Sequence, residues 1–192
     1  MEEFFDKGTL EPDHFVGGLR DAIRERRLAP ILCASTIRNI GSDLALNFLA
    51  ANMPSAVDRG TVEGKGADGA TISRKVADTE PLSLFVFKTV ADPFAGRMTY
   101  FKVLSGVLKN DANVYNYTRS AGERLSHIGV LFGKTPTPVT EIRAGDLGTV
   151  AKLKETLTGD SLGDKASPIV YPPAVLPVPA IAYALEAKSR PD

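Results

Sequence analysis

The chain has no tryptophan, a single cysteine and only two histidines among its 192 residues. The single cysteine, Cys33, cannot form an internal disulfide bond. One cysteine and two histidines are also too few to predict a metal site built from these residues. The formal net charge is zero, so a nucleic-acid contact would need a local basic patch. No apolar run approaches the roughly 18 residues that span a bilayer, and the start, MEEFFD, lacks the pattern of a signal peptide. A cytoplasmic protein is predicted.

The first part of the chain has the pattern of a helix, a buried strand and a second helix. Apolar residues recur at helical spacing within 10–28, and arginines crowd its last turn. The apolar run 29–35 (APILCAS) predicts a strand buried on both faces of a parallel sheet, and 43–52 predicts a helix that Pro54 ends. Helix, strand and helix close an α/β domain, but one parallel strand is not a sheet. Residues 1–57 are therefore predicted to be the C-terminal remnant of a larger α/β domain.

Residues 58–80 contain glycines among small and charged residues with little periodicity, which predicts a linker or a long hairpin loop. From Pro81 onward the chain is rich in Val, Leu, Thr, Tyr and Phe. The predicted strands are 82–90, 98–108, 112–118, 124–132 and 147–155. The clusters that separate them are 92–96, 109–111, 135–138 and 145–146. Short strands without a helical period between them predict a small closed β-barrel over 81–172.

Prolines mark the end of this β-rich region. Five prolines between 168 and 179 predict a stiff, extended connector. The alternating stretch 180–186 (AIAYALE) then predicts a strand. Residues 173–192 are accordingly interpreted as a linker and the first strand toward another domain, so the sequence is predicted to be a fragment of a longer protein.

The residues that could carry chemistry do not form a catalytic group. The stretch 129–135 (GVLFGKT) resembles a phosphate-binding loop only superficially, because three bulky residues separate its glycines and a Pro-Thr-Pro sequence follows. A strand ending in a turn is the better interpretation. His127 is placed in the middle of a predicted strand, and Cys33 in an apolar strand where a thiol is inert. No catalytic residue and no metal ligand is assigned.

Basic and aromatic residues are interleaved along the predicted barrel. Such a set can follow an RNA backbone, although charged residues also fill the solvent side of alternating strands, and both interpretations remain open. The set consists of Arg97, Tyr100, Lys102, Lys109, Tyr115, Tyr117, Arg119, Arg124, Lys134, Lys152 and Lys154.

Read as one string, residues 81–164 resemble domain II of elongation factor G. The matching stretches are 91–99 (ADPFAGRMT), 103–106 (VLSG), 114–116 (VYN), 144–148 (AGDLG) and 153–162 (LKETLTGDSL). The resemblance implies a mainly β fold, with a six-stranded closed barrel of the translation-factor type that follows an incomplete GTPase domain. It also implies that the barrel packs on that GTPase domain and contacts small-subunit rRNA of the ribosome. The residues proposed for the rRNA contact are Arg97, Lys102, Arg119, Arg124, Lys134 and Lys154.

The flanking sequences agree with this resemblance. Residues 30–41 (PILCASTIRNIG) are similar to the last guanine-nucleotide motif of the family, which implies that Ala34, Ser35 and Thr36 contact the guanine base in a site that is incomplete here. A P-loop, switch regions and an Asn-Lys-x-Asp motif are absent from this sequence. GTP and Mg²⁺ would thus be cofactors of the parent protein, and this fragment is predicted to need none and to be no enzyme. The stretch 132–141 is more similar to the elongation-factor-G-like paralogues.

Two other functions remain open at the level of the sequence. One is a stand-alone barrel that binds RNA or protein. The other is the barrel of a related GTPase of the ribosome-protection or release-factor type.

Overall fold

A computed structural model describes residues 2–92, 96–133, 135–173, 175 and 178–184. Within this part of the chain the helices come first and the strands follow. The helices are α1 (Glu2–Lys7), α2 (Pro12–Arg24) and α3 (Ser42–Asn52), with a 3-10 turn at Val57–Arg59. The strands are β1 (Thr61–Lys65), β2 (Thr71–Lys75), β3 (Ser83–Asp92), β4 (Gly96–Ser105), β5 (Val107–Lys109), β6 (Ala112–Asn116), β7 (Ala121–Leu125), β8 (Gly129–Phe132), β9 (Thr135–Pro138), β10 (Glu141–Arg143), β11 (Leu147–Ala151) and β12 (Ser161–Gly163).

Helices α2 and α3 confirm the two predicted helices. Pro12 stands in the first turn of α2, where its missing N–H has no helical partner to lose. Arg24 lies in the last turn, next to the carbonyl end of the helix. Helix α3 begins directly after Gly41, whose φ of 73° lets the chain turn into the helix. It ends at Asn52, before Pro54.

The buried parallel strand predicted at 29–35 is wrong. Ile31 is 91% exposed and Leu32 is 44% exposed, and Cys33 is exposed as well. In this segment Ser35 makes an isolated β-bridge to Ile40 that closes a short turn. A parallel strand needs neighbours on both sides for its backbone hydrogen bonds, and the described residues supply none for this run.

A β-hairpin lies within 58–80, the segment interpreted as a linker or a long hairpin loop. Strands β1 and β2 pair antiparallel over their whole length. Val62 of this hairpin packs in a second small core with Val76, Ile169 and Tyr171. An isolated bridge between Lys65 and Val170 adds backbone hydrogen bonds at 2.7 and 2.8 Å. The segments that enter and leave the barrel region are therefore packed against each other.

The main sheet is an antiparallel sheet of eight strands in the order β7-β6-β12-β3-β4-β11-β8-β9. Strands β5 and β10 form a separate pair. The mainly β class is confirmed, but the sheet has eight strands instead of the predicted six. Over the residues that the structure describes, no backbone ladder joins its two edge strands, β7 and β9. The sheet is curled, so it encloses a core without a continuous ring of backbone hydrogen bonds.

One cluster of apolar side chains fills the inside of this curled sheet. Alternate residues of β3 and β4 point into it, as the two-residue period of a strand requires. Each fully buried Leu, Ile or Phe contributes roughly 1.5–3 kcal/mol of burial free energy. The members with at most 2% exposure are Leu84, Val86, Phe101, Val103, Leu108, Leu125, Ile128, Ile142, Val150 and Leu162.

Two of the predicted strands are divided by residues with positive φ. The segment 98–108 is split at Gly106 (φ 73°), and 124–132 is split near His127 (φ 56°) into β7 and β8. His127 thus lies in the break between strands and not in the middle of one. The stretch 129–135 is confirmed as a strand that ends in a turn, because β8 stops at Phe132 and Gly133 has a φ of 65°.

Strand β9 consists of residues that the sequence predicted to be a separating turn. Val139 N–H donates to Ile128 O at 3.1 Å, so these two residues form a hydrogen-bonded pair. Hydrogen-bonded and non-hydrogen-bonded pairs alternate along an antiparallel ladder, so the next hydrogen-bonded pair is Thr137 with Val130. Pro136 and Pro138 occupy the alternate positions, where the backbone nitrogen faces away from β8. Because proline has no N–H group, these two residues present no hydrogen-bond donor on the outer edge of β9, and the ladder with β8 loses no hydrogen bond.

We expect the double substitution Pro136→Thr and Pro138→Val to make the chain associate. It would restore two outward N–H donors on an exposed edge strand, and such edges pair with other chains. Size-exclusion chromatography should show larger species at increasing protein concentration. The double substitution Thr135→Val and Thr137→Val is the matched control. It changes side chains on the same strand, but the N–H groups of these residues face β8, so no outward donor is added. Unchanged elution of the proline variant would contradict this role of the prolines.

The connector predicted at 168–179 is packed at its beginning. Ile169 is fully buried and Tyr171 is 5% exposed. Ser105 Oγ donates to Pro81 O at 2.6 Å, so Ser83 Oγ donates to Ser105 Oγ and the Tyr171 hydroxyl donates to Ser83 Oγ, each at 2.7 Å. Burial also raises the pKa of Tyr171. The strand predicted at 180–186 does not form over 180–184, and its last two residues lie outside the described part.

Candidate nucleic-acid interface

The structure places the basic residues that the sequence singled out in different environments. Arg97, at the start of β4, is half-buried, and its guanidinium donates to Leu153 O at 2.6 Å and to Lys154 O. It therefore holds the loop after β11 from within the sheet. Lys102 lies farther along β4, opposite Leu147. Lys134 lies outside the described residues.

Arg119 follows β6 and pairs with a buried carboxylate. Its Nε lies 3.3 Å from Asp160, whose side chain is 2% exposed. Asp160 also accepts hydrogen bonds from Asn116 Nδ2 and from Leu157 N–H, both at 2.9 Å. The charge of Arg119 therefore compensates a buried carboxylate, although 44% of the arginine side chain remains accessible.

Arg124 and Lys154 are brought together on one groove. This groove has a volume of about 330 Å³, and Lys152 also lines it, beside Asn113 and Gly122. Arg124 projects from β7 and donates to Asp111 at 3.1 Å, with 65% of its side chain exposed. Both lysines come from the loop that follows β11. Three cations therefore surround a single open groove.

Glu123 fixes the loop that carries the two lysines. Its side chain is 6% exposed and accepts hydrogen bonds from the backbone N–H groups of Lys154, Glu155 and Thr156, at 3.3, 2.8 and 3.1 Å. The Thr156 hydroxyl donates to it as well, at 3.0 Å. Glu123 belongs to the edge strand β7, so these bonds join that edge of the sheet to the loop after β11. A side chain, and not a backbone ladder, makes this connection.

Lys152 has a backbone conformation that is unusual for a residue with a side chain. Its φ is 63°, in the left-handed region that disfavours a Cβ by about 1–2 kcal/mol. The conformation is held by the Lys152 N–H donating to Arg97 O at 2.9 Å. Strained backbone of this kind is common at binding sites and persists where the surroundings determine it.

A second groove, of about 560 Å³, adjoins the first. Tyr115 and Lys165 line it, and the Lys165 ammonium lies 5.3 Å from the centre of the Tyr115 ring. The ring of Tyr117 is 5.9 Å from that of Tyr115. Burial raises the pKa of Tyr117 to about 12, and its hydroxyl donates to Asp164 O. Tyr117 is therefore neutral and fixed, whereas Tyr115 faces the groove.

Sequence reasoning did not single out Gly122 and Lys165, which line these grooves. Lys165 stands far from the other cations along the chain, and it reaches them because Gly163 of β12 pairs with Tyr115 of β6. No local signal marks such a contact, since it depends on long-range strand pairing. Gly122 forms no motif, and it lines both grooves from its position opposite Tyr115 in the β6–β7 ladder.

The residues implied to contact guanine lie in the N-terminal segment. Ala34 and Thr36 are exposed, and Ser35 is half-buried in the turn closed by its bridge to Ile40. Their nucleotide contact stays a prediction. Within the described ranges there is no group of three or more His, Cys, Asp or Glu side chains that could hold a metal ion. Of the helices in these ranges, none has the length and apolar character needed to cross a membrane.

The curled antiparallel sheet with its filled core has the architecture of a barrel-like β domain, and basic residues are grouped at one of its edges. Residues 81–165 match the family described as elongation factor G domain 2. This match confirms the resemblance of these residues to domain II of elongation factor G that was found in the sequence.

A solved structure extends the comparison to the rest of the chain. The crystal structure of a protein from Thermus thermophilus is similar over 99% of this chain, with a TM-score of 0.74 and 28% sequence identity. The matched part is 26% of that protein's length. The chain thus spans about a quarter of the protein it matches. The closer relation to the elongation-factor-G-like paralogues stays a prediction.

Proposed function

We propose that this chain is part of an elongation-factor-G-like translational GTPase, in which the barrel packs on the GTPase domain and contacts ribosomal RNA in the cytoplasm. The observation that carries the proposal is the family match over the barrel, together with the basic groove at its edge. GTP and Mg²⁺ belong to the rest of the parent protein. The chain itself supplies contact surfaces and no catalytic group.

The exposed apolar side chains of the N-terminal segment support packing against more polypeptide. Ile31, Ile37, Leu44 and Leu46 are 91%, 99%, 69% and 66% exposed. Clustered exposure of large apolar groups marks a surface that another element covers. In the proposed parent, other strands and helices of the α/β GTPase domain would cover these side chains.

The groove cations support an RNA contact. Phosphate contacts dominate protein–RNA affinity and weaken steeply with salt. Arg124 and Lys154 have exposed side chains on the groove, where the partner of Arg124 is the exposed Asp111. Arg97 instead binds the loop after β11, and Arg119 pairs with the buried Asp160. We therefore assign the rRNA contact mainly to Arg124 and Lys154, with Lys102 and Lys134 as further contacts and Arg97 and Arg119 as supporting residues.

We expect the purified chain to co-sediment with ribosomes at low salt and to be released as salt is raised. Lys154→Glu should weaken this binding roughly tenfold, since it replaces an attractive charge with a repulsive one. Lys75→Glu, on the exposed face of β2, makes the same charge change away from the groove. Binding that is absent, or that does not respond to salt, would overturn the rRNA role of this chain.

A further inference from the structure

We propose that the two adjoining grooves form one channel for the sugar–phosphate backbone of an RNA strand, and that Gly122 keeps this channel open. The inference rests on the proposed function, because it defines how the barrel would contact RNA. It adds the path that the RNA strand follows and two further cations, Lys152 and Lys165. It also adds Gly122, which contributes because it has no side chain.

The grooves are continuous at the middle of the β6–β7 hairpin. Asn113, Val114 and Gly122 line both of them. One end of the channel carries Lys165 and the other carries Arg124 with the two lysines of the loop after β11. A ligand that contacts both ends must cross the surface of Gly122. The occupant is therefore elongated.

The charge of the channel favours a polyanion. Four cationic side chains line it, namely Arg124, Lys152, Lys154 and Lys165. Of its acidic residues, Glu123 is buried and accepts four hydrogen bonds, and Asp164 lies at the Lys165 end. Tyr115 and Asn113 between the cations provide an aromatic face and amide groups, which suit sugar and base edges.

The lysine loop is preorganised for this role. Arg97 binds the carbonyl groups of residues 153 and 154, and Glu123 binds the amides of residues 154, 155 and 156. Together with the bond from Lys152 N–H to Arg97 O, these bonds hold the left-handed backbone of Lys152 in place. Arg97 and Glu123 are thus positioning residues, and a ligand meets a loop whose ordering entropy has already been lost.

Gly122 offers a substitution that fills the channel with little effect on the fold. An added Cβ would meet no described atom within 4 Å, and φ at this position does not require glycine. Glycine is also a poor strand residue, so a side chain here should leave β7 at least as stable. Gly18 on α2 has the same open surroundings. It is the matched control for the same change on another face.

The test compares Gly122→Glu, Gly122→Leu and Gly18→Glu in the full chain, with ribosomes and with labelled oligouridylate as probes. We expect Gly122→Glu to weaken both interactions at least tenfold and Gly122→Leu to weaken them severalfold, while Gly18→Glu binds like the wild type. In the wild type, the logarithm of affinity for oligouridylate should fall with the logarithm of salt concentration with a slope of about −3, as four phosphate contacts predict. Circular dichroism melting confirms that each variant is folded.

The possible outcomes separate this inference from the proposed function. Ribosome binding that Gly122→Glu leaves unchanged would overturn the channel but not the ribosomal role. Binding of oligouridylate without ribosome binding would support the channel and overturn that role. Loss of binding in Gly122→Leu but not in Gly122→Glu, or equal competition by polyglutamate, would show that the channel takes a protein segment and would overturn the RNA assignment.

Discussion

Glu123→Ala is expected to lower the free energy of unfolding by about 3–5 kcal/mol. The substitution leaves the backbone N–H groups of Lys154, Glu155 and Thr156 without their acceptor, and the Thr156 hydroxyl also loses its partner. Each buried donor left unsatisfied costs about 1–3 kcal/mol, and partial exposure of the loop to water recovers some of this cost. Because the same bonds close the β7 side of the sheet, the loss should affect the whole barrel. The predicted change in melting temperature is a decrease of about 10 °C.

The neighbouring residue provides the control for this experiment. Glu155 is exposed, so Glu155→Ala removes the same charge and should change stability by no more than about 0.5 kcal/mol. Urea titrations of both variants give the free energies of unfolding. Similar stabilities for the two variants would mean that the carboxylate of Glu123 does not hold the loop.

Gly106→Ala is expected to destabilise the chain by about 4 kcal/mol. Gly106 connects β4 to β5 with a φ of 73°, which disfavours a Cβ by about 1–2 kcal/mol. The new methyl group would also lie 2.7 Å from Leu82 Cα and 2.8 Å from Glu80 O. Both are backbone atoms, so the chain around β3 would have to move. The hydrogen bond from Gly106 N–H to Ala77 O, 2.9 Å long, would be strained by the same movement.

Gly69→Ala separates the two parts of this effect. Gly69 has a φ of 78°, and no described atom lies within 4 Å of a Cβ built there. Only the conformational cost of about 1–2 kcal/mol should remain. Thermal unfolding followed by circular dichroism would measure both variants. Equal losses at the two positions would show that the close approach at Gly106 has no energetic consequence.

Periodic segments were predictable because their signal is local. The apolar spacing within 10–28 and 43–52 indicates helices wherever these residues are placed, and the structure has them at Pro12–Arg24 and Ser42–Asn52. The β-rich segments 82–90 and 112–118 became β3 and β6. The family of the barrel could also be inferred, since its matching stretches occur in order along the chain. These inferences need no knowledge of which elements touch.

Other expectations failed because pairing partners are not a local property. The apolar run at 29–35 has strand-like composition, but composition does not supply neighbouring strands, and Ile31 remains exposed. Residues 135–138 have the composition of a turn, yet alternate prolines with outward-facing nitrogens allow them to form β9. The number of strands in the sheet follows from such pairings, and the predicted six became eight.

The candidate site shows the same division. Cations at Arg124 and Lys154 could be proposed from their residue types, because charged side chains on a barrel face solvent. The tertiary structure decided three further features of the site. Arg97 turns inward and holds the loop after β11, Glu123 closes the sheet, and Lys165 joins the same surface. The number of available cations is set by the sequence. The antiparallel pairing of β12, β6 and β7 brings Lys165 and Arg124 to one channel, and the hydrogen bonds of Glu123 to the loop after β11 add Lys152 and Lys154.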